Sequence, residues 1–197
     1  MYEFTEDWFS LDTGEQVEST FWKHLLPYRG TPCNFLEIGS FEGRSTIWML
    51  EKILTHPESK LTCIDAWAEW TGDAFTRFTK NLHISGKKDK VDVIKGSSQH
   101  YAGLLPREHF DFIYVDGDHE ASSVFQDAAV CFSLLKPGGI MALDDYLLGL
   151  KYPDSPGSLA VTQHPKETID FFLKIFKDRI DVIHKDYQLW IRKGRKR

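Results

Sequence analysis

Between Asn34 and Thr46 the chain reads NFLEIGSFEGRST, and only a strand, a glycine turn and a helix start in direct succession make sense of it. A short apolar run ends at Glu37, Gly39 and Gly43 frame a turn, and a helical pattern begins. Glycine has no Cβ and tolerates positive φ, so backbone at such a turn can press close against a ligand. The free N–H groups of the helix start point at the same spot. A unit of this kind predicts an α/β fold and a nucleotide-like ligand at the turn.

The rest of the chain repeats the alternation. Val17, Phe21 and Leu25 predict an amphipathic helix over Glu15 to Leu26, ended by Pro27 and Gly30. Phe35 to Ile38, Leu61 to Ile64, Val91 to Ile94, Phe110 to Val115 and Ile140 to Leu143 read as five strands. Between them run helical stripes at Ile47/Leu50/Leu54, Phe75/Phe78/Leu82 and Val124/Ala128/Phe132/Leu135, the last stopped by Pro137-Gly138-Gly139. Ile169, Phe172, Leu173 and Phe176 give a further helix. Ile180 to Ile183 and Gln188 to Ile191 follow as two strands with a tight connection, which suits an antiparallel hairpin. The expected architecture is α/β: a Rossmann-like, doubly wound, mostly parallel seven-stranded sheet with a C-terminal antiparallel hairpin and helices on both faces. In such sheets ligands bind at the C-terminal ends of the strands. Glu37, Asp65, Gly96, Asp116 and the pair Asp144-Asp145 all stand at such ends.

A length of 197 residues suits one domain, expected over 1–197. Within it, 1–30 is expected to form an N-terminal cap or substrate helix, 146–164 a lid, and 192–197 a basic tail frayed into solvent. Net charge is -5, so there is no bulk attraction to nucleic acid or an anionic membrane. Cys33, Cys63 and Cys131 have no CxxC spacing and read as small buried hydrophobes, which with the absence of a signal-like N-terminus fits a reducing cytoplasm. No apolar run approaches the roughly 20 residues needed to cross a bilayer.

The turn reads ExGxxxG, not the GxGxxG that a pyrophosphate needs. S-adenosylmethionine carries no phosphate and accepts this looser turn. Asp65, ending the second strand, can take both ribose hydroxyls; a plain strand-end turn residue is the alternative. Together FLEIGSFEGRST, LTCIDAW, VDVIKGSS, DFIYVDGDH and LLKPGGIMALDDY resemble, in order and spacing, the class I S-adenosylmethionine-dependent methyltransferases. The resemblance runs from about Asn34 to Lys193. It implies that Glu37, Gly39, Ser40 and Gly43 hold the methionine end and Asp65 with Ala66 the ribose. Ser97 or Ser98 would lie beside the adenine, Asp116 at the cofactor's edge, and Trp67 on the adenosine side, with a surface or core aromatic as its alternative.

Asp116, Asp144 and Asp145 end two strands expected to be neighbours, and gathered carboxylates repel unless a cation or protons neutralise them. Oxygen ligands suit Mg²⁺ or another hard divalent ion. Loop-capping aspartates facing solvent are the alternative. The VDGDH and LDDY segments resemble the metal-dependent O-methyltransferases, both the catechol and caffeoyl-CoA branch and the antibiotic-sugar branch. The Asp144-Asp145 pair is similar to the sugar-modifying branch. By that resemblance Asp116, Asp144 and Asp145 are metal ligands, Asp116 is also catalytic, and His119 falls where the catechol-type enzymes place a general base. Asp118 either orients His119 or stands behind it.

The sequence therefore predicts a metal-assisted O-methyltransferase acting on a small-molecule hydroxyl, alone or as a homo-oligomer. Other readings are a metal-independent methyltransferase on an amine, carboxylate or peptide side chain, and a non-catalytic S-adenosylmethionine-binding partner protein. An NAD-dependent dehydrogenase lacks its fingerprint, and RNA methylation rests on the basic tail alone. The acceptor is expected between the N-terminal segment with Phe4, Trp8, Phe9 and Trp22, the 146–164 segment with Lys151 and His164, and an aromatic wall of Trp70 and Phe75.

Overall fold

The structure, a computed structural model, describes residues 1–6, 8–9, 17–68, 71–151 and 165–194. Trp70, His164, most of the 146–164 segment, the expected helix start at Glu15 and the last three residues lie outside that set. So does the side chain of Lys151. The fold is the expected one, a seven-stranded, mostly parallel sheet ending in an antiparallel hairpin, with helices around it. The chain gathers into two compact units, Met1–Ser97 and Ser98–Arg197.

In the first unit α1 spans Val17–Leu25 and buries Val17, Thr20, Phe21 and Leu25, the stripe that the apolar spacing predicts. A 3-10 turn over Leu26–Tyr28 with Pro27 inside it closes the helix, and Gly30 at φ 76° turns the chain. Strands β1 (Asn34–Ile38), β2 (Lys60–Asp65) and β3 (Val91–Lys95) run parallel in the order β3-β2-β1. β1 and β2 are buried on both faces, which is why each reads as a continuous apolar run rather than an alternation. Ile38 stands opposite Ile64, and Asp65 opposite Lys95, so the strand ends are level. Helices α2 (Arg44–Lys52) and α3 (Ala74–Ile84) complete the unit. Gly43 starts α2 at φ 85°, and a Cβ there would lie 2.9 Å from the Phe78 ring of α3. The glycine thus serves both a left-handed backbone and a close helix approach.

The second unit opens with a one-turn helix α4 (Ser98–Tyr101), followed by β4 (Phe110–Val115), α5 (Ala121–Leu134) and β5 (Leu135–Leu143). After them come α6 (Leu148–Lys151), α7 (Pro165–Phe176), β6 (Ile180–Lys185) and β7 (Leu189–Lys193). β4 and β5 are parallel; β7 runs antiparallel to both β5 and β6. Strand β5 begins five residues before the expected Ile140. Leu135 already pairs with Phe110, and the register then slips so that Phe112 meets Ile140. Pro137-Gly138-Gly139 therefore forms an irregularity inside a strand, not only a helix stop. Phe132 of α5 packs on Phe176 of α7 at 4.4 Å between ring centres, and Trp190 of β7 is fully buried, stacked on Phe112 at 5.4 Å. All three cysteines are buried thiols, as expected.

Candidate active site

The turn after β1 is tied to the end of β2. Asp65 accepts the backbone N–H of Ser40 and of Phe41 on Oδ2, both at 2.8 Å, and that of Trp67 on Oδ1 at 2.7 Å. Gly39 at φ 82° donates its N–H to the carbonyl of Ile64 at 2.9 Å. Phe41 and Trp67 are both held at positive φ, 45° and 39°, a conformation that costs a non-glycine residue energy and persists only where its surroundings enforce it. The enforcing contact is the Trp67 indole, which donates to the Phe41 carbonyl at 2.7 Å. That ring is buried against Phe75 and Phe78.

Glu37 is fully buried beneath the turn. Ser45 and Ser40 donate to its carboxylate at 2.5 and 2.7 Å, Thr46 bonds to it as well, and the Cys63 thiol lies 3.5 Å away. Burial pushes the carboxyl up, and the hydroxyls pull it part of the way back. Sequence reasoning missed Glu42, between the two glycines and 2% exposed. It accepts the N–H and hydroxyl of Thr5 at 2.6 and 2.8 Å and pairs with Arg77 at 2.5 Å. The N-terminal segment is thereby strapped to the turn, with Trp8 stacked on Phe41 at 5.5 Å. Ala66 and Ser97 are exposed, and Gly96 donates to the Asp65 carbonyl at 2.8 Å.

In the second unit Val115 stands opposite Leu143, so Asp116 and Asp144 leave their strands side by side, and the Asp144 N–H closes on the Val115 carbonyl at 3.0 Å. Asp116, His119 and Asp145 each bring a ligand atom within 4.8 Å of the others. His119 Nε2 lies 2.9 Å from Asp145 Oδ2. Asp144 is used differently. It bonds to the buried Tyr114 phenol, accepts from Gln188 Nε2 at 2.9 Å, and takes the Asp145 N–H at 2.8 Å. Asp145 sits at φ 57° and accepts the Tyr187 phenol on Oδ1 at 2.6 Å. A cavity of about 10 Å³ lies among Asp116, His119, Asp144 and Asp145, walled by Val115, Val124, Leu143 and Pro165. That is about the room one ion or one water needs.

The charges in this pocket fit a cation. Tyr114 has one proton but faces Asp116 Oδ2 at 3.0 Å as well as Asp144. Burial and the charge of Asp145 push Asp144 up to about 6, against its hydrogen bonds. For His119 burial disfavours the charged ring, yet the bond and charge of Asp145, with help from Asp144 and Asp118, raise its pKa overall. For Asp145 burial works upward, but His119 and Tyr187 hold it below the ordinary range. Carboxylates gathered this closely repel one another, and a divalent cation relieves that repulsion. Two oxygen donors and one imidazole suit such an ion. Asp118 braces the loop that enters α5, accepting Glu120 N–H at 3.2 Å and the Ser123 hydroxyl at 2.7 Å.

Ser98 is bonded to Asp127 of α5, a carboxylate 2% exposed whose pKa burial pushes up to about 6, against the Ser98 bond. A carboxyl whose pKa is higher folded than unfolded contributes stability at low pH and loses it as pH rises. The window here runs from about 4, the unfolded value, to about 6. Asp127→Asn is therefore expected to leave stability near pH 4 unchanged and to raise it by up to about 3 kcal/mol at pH 7 to 8. Urea unfolding midpoints across that range check this.

A family model described as Methyltransferase domain matches residues 36–146, from the turn to the residue after the acidic pair and more than half of the chain. The chain belongs to this methyltransferase family. No curated protein sequence matches it. Among solved structures, the methyltransferase is similar to the O-methyltransferase TomG of Streptomyces achromogenes, involved in tomaymycin synthesis and solved with SAM. Identity is 19%, TM-score 0.67, over 94% of this chain and 83% of that one. It is also similar to a Clostridium thermocellum protein described as a candidate rRNA methylase, at 15% identity and TM-score 0.70, over 91% and 97% of the two chains. A third similar structure is MycE of the mycinamycin pathway, solved with Mg and SAH, at 15% identity and TM-score 0.65. There the match covers 92% of this methyltransferase and 50% of MycE. At such identities the likeness establishes a shared fold.

Proposed function

We propose that this methyltransferase moves a methyl group from S-adenosylmethionine to a hydroxyl of a small molecule, assisted by a divalent cation. The observation that carries the reading is the meeting of Asp116, His119 and Asp145 around an ion-sized cavity. Support for the donor comes from the ExGxxxG turn braced by Asp65, and from TomG and MycE, whose structures hold SAM and SAH on a similar fold. MycE also holds Mg. The net charge of -5 works against a phosphate backbone as the acceptor.

The sulfonium supplies an electrophilic methyl and its own leaving group. A divalent ion would lower the pKa of an acceptor hydroxyl and fix its oxygen. Asp116 and Asp145 would hold it through their carboxylates, with Asp144 behind them. His119, beside them, would take the acceptor's proton. Glu37, Ser40, Gly39, Gly43 and Asp65 shape the turn for the donor, and Ala66 and Ser97 border it. Alignment of the reacting atoms can be worth roughly 7–11 kcal/mol, so little covalent help is asked of the protein.

One observation favours a metal-independent reading: His119 already neutralises Asp145, and Asp144 is fully bonded within the chain. Calorimetry with S-adenosylhomocysteine and with Mn²⁺ decides between them. Binding of both is expected. If the nucleoside does not bind, the proposal fails as a whole; if Mn²⁺ alone does not bind, the metal half fails.

A further inference from the structure

We infer that the turn of the C-terminal hairpin is a working part of the acidic site, with Tyr187 and Gln188 as positioning residues that decide which carboxylate oxygens face the pocket. The inference rests on the divalent-cation reading above. The turn joins β6 and β7 and is closed by a bond from Asp186 N–H to the Gln188 carbonyl at 3.0 Å. From it Tyr187 reaches Asp145 at 2.6 Å and Gln188 reaches Asp144 at 2.9 Å, residues more than forty positions earlier in the chain.

The orientation of the Gln188 amide is forced. Its Oε1 accepts the indole N–H of Trp190 at 3.0 Å. Indole is a donor only, so the amide nitrogen has to face Asp144. Trp190 is itself fully buried and stacked on Phe112, so the amide is built on a rigid base. Tyr187 occupies Oδ1 of Asp145, which leaves Oδ2 as the oxygen turned to His119 and the cavity. Asp145 holds a left-handed backbone at φ 57°, a conformation that persists only where its surroundings enforce it.

A plain anchoring role for the hairpin does not require these bonds. Four register pairs with β5, from Ile140–Arg192 to Leu143–Leu189, and the buried Trp190 already seat it. An apolar ring at position 187 would pack as well, and burying a phenol against a carboxylate brings desolvation that packing alone would avoid. Partners that orient ligating carboxylates commonly change metal affinity by 10–100-fold when removed.

The test uses the full chain and Mn²⁺ itself. Binding is followed by calorimetry and by the Mn²⁺ electron paramagnetic resonance signal, for the unsubstituted protein, Tyr187→Phe, and Val182→Thr on the exposed face of β6 (48% exposed). Thermal unfolding of each shows that it is folded at the binding temperature. Tyr187→Phe is expected to bind Mn²⁺ about 10–100-fold more weakly, with an altered resonance signal, while Val182→Thr binds as the parent does. Equal affinity of Tyr187→Phe and parent overturns the positioning role and leaves the metal reading standing. Equal weakening in Val182→Thr assigns the effect to hairpin stability and overturns it too. No Mn²⁺ binding by the parent removes the metal reading and this inference with it.

Discussion

Glu37→Ala is expected to destabilise the protein by about 3–5 kcal/mol, roughly 6–20 °C in Tm for a chain of this size. Three hydroxyls, of Ser40, Ser45 and Thr46, converge on this fully buried carboxylate, and alanine takes away their common acceptor. Each stranded buried hydroxyl costs about 1–3 kcal/mol, less where neighbouring hydroxyls can pair with each other. Glu37→Gln keeps an oxygen acceptor and the volume, so its loss is expected to stay near 1 kcal/mol. Because Ser40 also lends its N–H to Asp65, a collapse under the turn loosens the brace of the donor site. S-adenosylhomocysteine affinity should therefore fall with stability in the alanine variant and hold in the glutamine one. Denaturant midpoints and calorimetry read both. A Glu37→Ala protein as stable as its parent would show that the buried carboxylate contributes nothing.

The strands were legible because β1, β2 and β4 are buried on both faces, and such burial leaves an unbroken apolar run that needs no partner to be recognised. The start of β5 was not legible. Pro137-Gly138-Gly139 is a turn signal locally, and only pairing with Phe110 makes it part of a strand. Helix α4 was missed because four residues carry no periodicity. Among the site residues, Asp65, Asp116 and Asp145 stood out as polar groups at strand ends, and His119 through the family resemblance. Tyr114 did not, since a tyrosine inside an apolar run reads as core and gives no sign that its hydroxyl meets Asp116 and Asp144. Nothing near Tyr187 or Gln188 in the chain points to aspartates so distant in sequence. Glu42 had one signal, its place between two glycines, and Arg77 had none.

The sharpest division between the two functional readings is Asp145→Asn. Asparagine keeps the shape and the Tyr187 contact but removes a charge from the ion-sized pocket. Under the metal-assisted reading this removes a ligand as well as the charge that balances a divalent ion, and kcat/KM is expected to fall by about 10²–10⁴-fold. Under the metal-free reading only the partner of His119 changes. The bond and charge of Asp145 are what raise the His119 pKa against burial, so their loss lowers it. The imidazole is then neutral at lower pH, and the acid limb of the pH–rate profile moves down while the plateau survives. Asp116→Ala supplies the second arm, since Asp116 brings a ligand atom within 4.8 Å of the other donor atoms. A steep loss in both variants, with Mn²⁺ binding lost alongside, is the expected result. A surviving plateau with a downward-shifted acid limb in Asp145→Asn would assign the carboxylate to tuning the histidine, and the reaction to general-base catalysis without an ion.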